Sequence, residues 1–316
     1  DTATFDGTAV TNATIDGNFQ GTVAALNMNA GYLGIVTQDR VFIVNGIFNL
    51  NSGTFQGDEN AVTASDLNIA GGTYIQSSGG LATGINNCST NNLSISSGTF
   101  TGGSGPISVT TTCSTGFAIS GGIFVSTSGT LTTTDFAWSA GTFTHNSGTV
   151  EIIGNNANIG IPVGGGTLNN LTINKNNAQA ATVTNGRTLT VNGTLFLTNG
   201  RISADTAISV KGNVTYSATY DGISSSNVVF NVNGAGAQNV DYSSAVGNIE
   251  AFNVSNVLAT NTPVANGISI TMIKLTTSAG TWNLGDGNTT ITQGLYITGG
   301  TVNHGSGSLN IADDTC

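Results

Sequence analysis

Two eight-residue stretches decide the fold: Leu-Asn-Ile-Ala-Gly-Gly-Thr-Tyr at residues 67–74 and Leu-Ser-Ile-Ser-Ser-Gly-Thr-Phe at residues 93–100. In each stretch apolar side chains alternate with small or polar ones, which is the period of a β-strand with one buried face. The glycine permits a backbone bend that ends the strand, and the aromatic residue two positions later starts the next inward face. Each stretch therefore predicts two short strands joined at a glycine.

The same phrase recurs along the chain, with its glycine at 53, 72, 98, 122 and 141 and again at 280 and 300. Subtraction gives spacings of 19, 26, 24 and 19 residues, and 20 for the last pair. Such spacings suit one solenoid coil, whereas the hairpins of a sandwich or barrel do not require one residue type to recur at this period. We predict an all-β parallel β-solenoid (β-helix) of roughly 14 coils, an elongated rod with few if any helices. Its core aromatic ladder is predicted to contain Phe55, Tyr74, Phe100, Phe124 and Phe143.

Turn-forming residues are evenly spread along the sequence, and no Pro-rich or charge-rich linker divides it. Residues 1–316 are therefore predicted to form a single continuous solenoid. Residues 1–147 carry the Gly-Thr-aromatic coils. Residues 148–226 and 227–316 are predicted to be an approximate duplication with an offset of 81 residues. The pairs that carry it include Leu168 with Ile249, Leu171 with Phe252, Leu189 with Ile270 and Val191 with Met272.

Composition narrows the class of protein. Only 7% of the residues are charged, the net charge is −10, and mean hydropathy is +0.12, which favours a folded chain over a disordered one. Six basic residues against sixteen acidic ones form no basic stripe, so nucleic acid is not an expected partner. No apolar run is long enough to cross a bilayer, so membrane insertion is not expected. The first residue, Asp1, is compatible with a signal peptide already removed.

Asparagine recurs at matching positions, for example at Asn185 and Asn266. Two interpretations remain open for these residues. The side-chain amides could bond from coil to coil as a ladder, or the asparagines could simply suit left-handed turn positions.

Two cysteines occupy the same place in consecutive repeats. Cys88 precedes the phrase that ends at Phe100, and Cys113 precedes the one that ends at Phe124. Stacked neighbours lie about 4.8 Å apart, within the range that a disulfide can bridge, so we predict a Cys88–Cys113 bond that export would favour. The alternative is a pair of buried free thiols. Cys316 is left over as a free thiol or an intermolecular link.

Catalytic chemistry on a β-helix requires clustered carboxylates. Glu59, Glu151 and Glu250 are widely scattered in the sequence, and Asp313 and Asp314 are adjacent and so face opposite ways in an extended strand. A stack of Asp205, Asp221 and Asp241 is the remaining possibility, since their spacings are 16 and 20 residues.

The remaining candidates for a metal or calcium site are few. Asp286, Gly287 and Asn288 resemble a fragment of a calcium-binding turn, but an ordinary turn is favoured because the glycine-rich nonapeptide does not repeat. His145 and His304 have no second ligand nearby in sequence, and we expect both at the surface. No cofactor, no metal site and no enzymatic activity are therefore expected.

Residues 168–174, Leu-Asn-Asn-Leu-Thr-Ile-Asn, and 189–200, Leu-Thr-Val-Asn-Gly-Thr-Leu-Phe-Leu-Thr-Asn-Gly, carry a resemblance to a known group. They resemble the repeats of bacterial secreted and surface β-helix proteins, adhesin-like and autotransporter-like. The resemblance covers the second half well and the first half only through its rhythm. It implies an extracellular or cell-surface location, in a bacterium, and a surface role without a named ligand.

Three function hypotheses follow. The first is an extracellular structural protein, a stalk or a fibre subunit whose open terminal coils stack head to tail on other copies of itself. The second is an adhesin module that binds glycans, with Trp138 and Trp282 as the candidate stacking rings, although both occupy inward positions of the repeat. The third is a polysaccharide lyase or hydrolase, which would need the carboxylate cluster discussed above.

Overall fold

The computed structural model of the protein describes residues 1–8, 11–84, 92–111, 116–155, 157–176, 179–183, 186–222 and 228–312. The regular structure in these ranges is β-strand, with no helix among them. The chain is an all-β parallel β-solenoid of about 14 turns, which confirms the predicted fold class. Two compact units can be distinguished, Asp1–Glu151 and Ile152–Cys316. None of the residues that the structure describes belongs to a helix that could cross a lipid bilayer.

The coils of the first unit contribute strands to three parallel sheets, here called the first, second and third faces. Its strands are β1 (Thr2–Phe5), β2 (Ala13–Ile15), β3 (Thr22–Val23), β4 (Ala25–Met28), β5 (Ile35–Gln38), β6 (Phe42–Leu50), β7 (Thr54–Gln56), β8 (Val62–Ile75), β9 (Leu81–Thr83), β10 (Leu93–Thr101), β11 (Ile107–Val109), β12 (Phe117–Ile119), β13 (Ile123–Val125), β14 (Thr130–Thr133), β15 (Phe136–Trp138), β16 (Thr142–Thr144) and β17 (Thr149–Gly154), the last of which spans the division between the units.

Strand order within each face follows the coils. The first face runs β1-β4-β6-β8-β10-β12-β15. The second runs β2-β5-β7-β8-β10-β13-β16. The third runs β3-β6-β8-β9-β11-β14. The long strands β6, β8 and β10 bend at corners and so contribute to more than one face.

A column of aromatic rings fills the core behind the second face. Phe55, Tyr74, Phe100 and Phe124 are fully buried, and Phe143 is 8% exposed. Successive ring centroids lie 5.2, 5.1, 4.6 and 5.8 Å apart, with nearly parallel planes. Parallel in-register strands place like residues directly above one another, and offset ring stacks stabilise such columns by about 0.5–1.5 kcal/mol per pair. The Tyr74 hydroxyl is buried there without a hydrogen-bond partner, and burial raises its pKa.

Glycine is required at the corner between the first and second faces. The repeated glycines have positive φ, for example +63° at Gly72 and +70° at Gly98. A Cβ added at Gly98 would lie 2.6 Å from the backbone of Gly71 and Gly72 in the preceding coil. Both the left-handed backbone and the close approach of stacked coils therefore exclude a side chain.

Asparagine amides form a ladder on the outside of the first face. Asn49 Nδ2 donates to Asn27 Oδ1 at 2.9 Å, and Asn68 Nδ2 donates to Asn49 Oδ1 at 3.2 Å. Ser94 Oγ extends the ladder by donating to Asn68 Oδ1 at 2.8 Å. Amide ladders of the predicted kind thus exist, but these lie on strands and not at turns. Asn185, of the predicted pair, lies outside the described residues.

The second unit repeats the architecture with aliphatic residues in place of most aromatic ones. Its strands are β18 (Ala157–Gly160), β19 (Gly166–Leu168), β20 (Asn170–Lys175), β21 (Ala180–Val183), β22 (Leu189–Val191), β23 (Leu195–Asn199), β24 (Arg201–Ser203), β25 (Ile208–Val210), β26 (Val214–Tyr216), β27 (Val229–Val232), β28 (Gln238–Asp241), β29 (Gly247–Ile249), β30 (Ala251–Val254), β31 (Ala259–Thr262), β32 (Ser269–Met272), β33 (Leu275–Thr277), β34 (Thr281–Asn283), β35 (Asn288–Ile291), β36 (Leu295–Ile297), β37 (Thr301–Asn303) and β38 (Leu309–Ile311).

The longest uninterrupted sheet of this unit runs β19-β22-β25-β27-β30-β33-β36, and a second runs β29-β32-β35-β38. The remaining strands pair as β18-β21-β24, β20-β23-β26-β28-β31 and β34-β37. Leu168 and Ile249, one of the pairs offset by 81 residues, are both fully buried, but they lie in different sheets. The duplication and the single continuous domain stay predictions.

Candidate functional site

The second unit contains a fully buried carboxyl group. Glu250, at the junction of β29 and β30, is 0% exposed. Tyr216 and Tyr220 each donate a hydroxyl hydrogen bond of 2.5 Å to a different carboxylate oxygen of Glu250. The Tyr220 hydroxyl in turn accepts a hydrogen bond of 3.1 Å from the backbone N–H of Ile202. Both oxygens of the carboxylate thus accept a hydrogen bond from inside the protein.

Burial controls the protonation of this cluster. It raises the pKa of the Glu250 carboxyl group, and the two tyrosine hydrogen bonds oppose this without cancelling it. Burial, followed by the nearby Glu250 charge, raises the pKa of Tyr216 and of Tyr220 well above the usual value. All three side chains are buried, so the cluster connects coils from inside.

The other described candidate acids are exposed or accept hydrogen bonds from nearby side chains and backbone. Asp205 and Asp221 are exposed, and Asp241 uses Oδ1 to accept hydrogen bonds from the N–H and hydroxyl of Ser243 in a local turn. Glu59 is exposed, and Glu151 accepts a hydrogen bond from Thr132 at 3.2 Å. In the part of the chain that the structure describes, no three His, Cys, Asp or Glu side chains are grouped so that they could hold a metal ion.

The calcium-like fragment around Asp286 serves as an intercoil turn. Asp286 Oδ1 accepts hydrogen bonds from the N–H and hydroxyl of Ser306 in the next coil, and Asn288 Oδ1 does the same for Ser308. The Ser306 hydrogen bonds lower the pKa of Asp286, with a smaller contribution from His304. These oxygens are therefore committed to hydrogen bonds, as expected for an ordinary turn.

The histidines and tryptophans are placed as follows. His304 is exposed, and His145 is half-buried and accepts a hydrogen bond at Nδ1 from the Ser147 N–H. Trp138 is 8% exposed and Trp282 is fully buried, so neither presents a ring face to a sugar. Asp313 and Asp314 lie outside the described residues.

All three cysteines, Cys88, Cys113 and Cys316, also lie outside the described residues. No disulfide is seen in the described part of the chain. The Cys88–Cys113 bond and the role of Cys316 therefore stay predictions.

A lysine that the sequence analysis did not single out is buried in the second unit. Lys175 is 1% exposed, and its ammonium group donates to the backbone carbonyls of Ile153, at 2.6 Å, and of Asn155. A buried ammonium requires such acceptors, since an unsolvated charge is costly. Lys175 thus ties two coils together from inside, in the way that Glu250 does elsewhere.

The last described coil exposes residues that occupy core positions. Ile297 and Ile311 are 52% and 46% exposed, although their in-register neighbours one coil earlier, Thr277 and Ile291, are 1% and 0% exposed. Val302 is likewise half-buried above the fully buried Trp282. We call Ile297, Val302, Leu309 and Ile311 the terminal surface. Among the described residues, β36, β37 and β38 are the outermost strands of their sheets.

The first described coil shows a milder form of the same exposure. Ala3 and Phe5 in β1 are half-buried, whereas Leu26 and Met28, with which they pair, are 1% and 0% exposed. Both described end coils therefore carry apolar core positions that are open on one side.

The fold defines the protein as a parallel β-solenoid repeat protein. No family model matches the chain, and comparison with the curated proteins and with the solved structures found no match. The class therefore rests on the chain's own coil register and core.

Sequence reasoning missed the Tyr216–Tyr220–Glu250 cluster because its members are separated by more than one coil. A weak signal exists, since two tyrosines four residues apart interrupt an otherwise aliphatic region and Glu250 directly follows the buried Ile249. Such a signal does not reveal that the three side chains meet.

Proposed function

We propose that the protein is an extracellular structural protein, a stalk or fibre subunit whose coils stack end to end on those of further copies. The observation that carries this proposal is the in-register parallel stacking of the coils, which places like residues above one another and can continue from one copy to the next. Burying a large aliphatic side chain completely stabilises by about 1.5–3 kcal/mol. Ile297 and Ile311, 52% and 46% exposed on the outermost described strands, would therefore each contribute roughly 1 kcal/mol to the binding of a further coil stacked on them.

The backbone adds a second driving force. The outermost strands of a parallel sheet present unpaired N–H and C=O groups, which another strand can satisfy. The first coil of a second copy has the required features, since its β1 presents half-buried Ala3 and Phe5. This contact joins two different surfaces, so it is heterologous and propagates as a filament instead of closing as a dimer.

The contacts between coils favour a mechanical role. Stacked rings, the amide ladder and the buried Glu250 and Lys175 all connect one coil to others, so that pulling one coil away breaks several contacts together. The acids described above are engaged in turns or coil contacts or are dispersed at the surface. These placements favour a structural over an enzymatic role, and the resemblance to bacterial surface repeats favours a bacterial cell-surface location.

A charge placed on the terminal surface tests the proposal. We expect the wild-type chain to form concentration-dependent filaments, seen by sedimentation velocity and negative-stain microscopy. Ile297→Asp is expected to remain monomeric, because assembly would bury an unpaired carboxylate. Tyr296→Asp is the matched control, since Tyr296 is adjacent, 47% exposed and points outward from the same strand.

A reducing agent in all samples excludes links through Cys316. Circular dichroism of each variant checks that the strands are retained. A wild-type chain that stays monomeric at every concentration contradicts the proposal, as does equal assembly of the Ile297→Asp and Tyr296→Asp variants.

A further inference from the structure

The second face of the first unit differs from the other two faces in its strand pattern. On the first and third faces most strands bury their outer residues and expose the middle one, as in Leu93-Ser94-Ile95. On the second face the middle residue is the buried aromatic, and the residues on both sides of it point outward, as in Thr99-Phe100-Thr101. This face therefore carries two outward columns per strand.

The outward columns consist almost wholly of β-branched residues. The leading column, in register from coil to coil, contains Ile35, Thr54, Thr73, Thr99, Ile123 and Thr142. The trailing column contains Thr37, Gln56, Ile75, Thr101, Val125 and Thr144. We call these two columns together the threonine face.

The threonine face has a defined chemistry. Eleven of its twelve residues carry a γ-methyl group, seven of those also carry a hydroxyl, and none is ionisable, although the chain as a whole has a net charge of −10. All twelve are half-buried or exposed, and Ile123 is 45% exposed. An uncharged face of this kind matches an uncharged partner, because no ion has to be desolvated on contact.

The spacing of the threonine face is regular in two directions. Neighbouring strands lie about 4.8 Å apart, and residues on either side of the buried aromatic lie about 6.7 Å apart along the strand. Both distances are close to repeat distances of hexagonal ice. The rings stacked directly behind, at 4.6–5.8 Å between centroids, hold these strands in place.

We propose that the threonine face binds ice. Water beside a methyl group cannot hydrogen-bond to it and adopts restricted orientations, while a neighbouring hydroxyl fixes water by donating and accepting hydrogen bonds. A fixed lattice of both groups orders water at intervals that a growing ice surface can incorporate. This activity goes beyond end-to-end assembly and does not depend on it.

The first test measures inhibition of ice recrystallisation and the uptake of a fluorescently labelled chain into a growing ice front. We expect the wild-type chain to inhibit recrystallisation and to enter the ice. Failure of both, or uptake by crystalline cellulose or chitin in place of ice, overturns the proposal.

The second test alters the face within one coil. Thr99→Tyr is expected to abolish inhibition at concentrations where the wild type inhibits. The larger side chain would hold the neighbouring methyl and hydroxyl groups of the threonine face away from the ice surface. Thr99→Val keeps the γ-methyl and the shape and is expected to retain activity. Ser108→Tyr, on the third face of the same coil, is the matched control and is expected to leave activity unchanged.

Circular dichroism and thermal melting identify any variant that fails to fold. Should Thr99→Tyr be folded but fully active, or Ser108→Tyr be folded and equally inactive, the assignment to this face is wrong.

Discussion

The aromatic column behind the second face predicts a large effect for Phe100→Ala. The ring is fully buried and stacks on Tyr74 at 5.1 Å and on Phe124 at 4.6 Å. Removing a buried phenylalanine costs about 3–5 kcal/mol through lost transfer energy and the cavity left behind. Since the ring loses two stacking partners, worth about 0.5–1.5 kcal/mol each, we expect a loss of free energy of unfolding near the upper end, about 4–5 kcal/mol.

Urea unfolding followed by tryptophan fluorescence measures this loss in the relevant unit. In a Trp282→Phe background the remaining tryptophan is Trp138, whose ring lies 5.4 Å from that of Phe143 in the same unit as Phe100. Phe19→Ala is the matched control, because Phe19 is in this unit but is 37% exposed. A surface substitution of this kind changes stability by about 0.5 kcal/mol or less.

A double-mutant cycle with Phe124→Ala separates stacking from burial. Two residues in contact are expected to show a coupling energy of about 0.5–1.5 kcal/mol. The reasoning fails if Phe100→Ala costs no more than Phe19→Ala, or if the two core substitutions are strictly additive.

Two further predictions concern the buried carboxyl group and the glycine corner. Because burial raises the folded-state pKa of Glu250 above its usual 4.5, its contribution to stability is full below that pH and is lost as pH rises through the folded-state value. The urea midpoint of wild type relative to that of Glu250→Gln should therefore fall between about pH 4 and about pH 8. A difference that stays constant over this range contradicts the prediction. Gly98→Ala should cost about 2–4 kcal/mol, since it combines a left-handed backbone with a Cβ 2.6 Å from Gly71. Gly103→Ala, whose Cβ would meet no atom closer than 3.5 Å, should be near neutral in the same urea assay, and equal costs for both glycines would show that the corner is not under this constraint.

The strands and bends of each coil could be predicted because the residues within one repeat determine them. Alternation in Leu93-Ser94-Ile95 specifies a strand with one buried face, and Gly98 specifies a bend that other residues cannot adopt. The period between such phrases then requires parallel stacking. The fold class and the approximate number of coils follow from these local signals.

The candidate sites could be predicted from the sequence only in small part. The terminal surface consists of the same residue types as the core, and only the absence of a described neighbouring strand makes Ile297 and Ile311 differ from Thr277 and Ile291. The leading column of the threonine face is the threonine of the repeated Gly-Thr-aromatic motif, so the sequence already contained it. The trailing column is evident only in the structure, where Phe100 points inward between the outward Thr99 and Thr101.

The sequence by itself determined that this chain coils, because strand alternation and obligatory glycines are local properties of the backbone. The tertiary structure decided which residues meet across coils. Tyr216 and Tyr220 contact Glu250 from 34 and 30 residues away, and the outward threonines align only through the register of stacked strands. Coil lengths vary, so sequence spacing alone does not fix that register, and backbone hydrogen bonding between coils does.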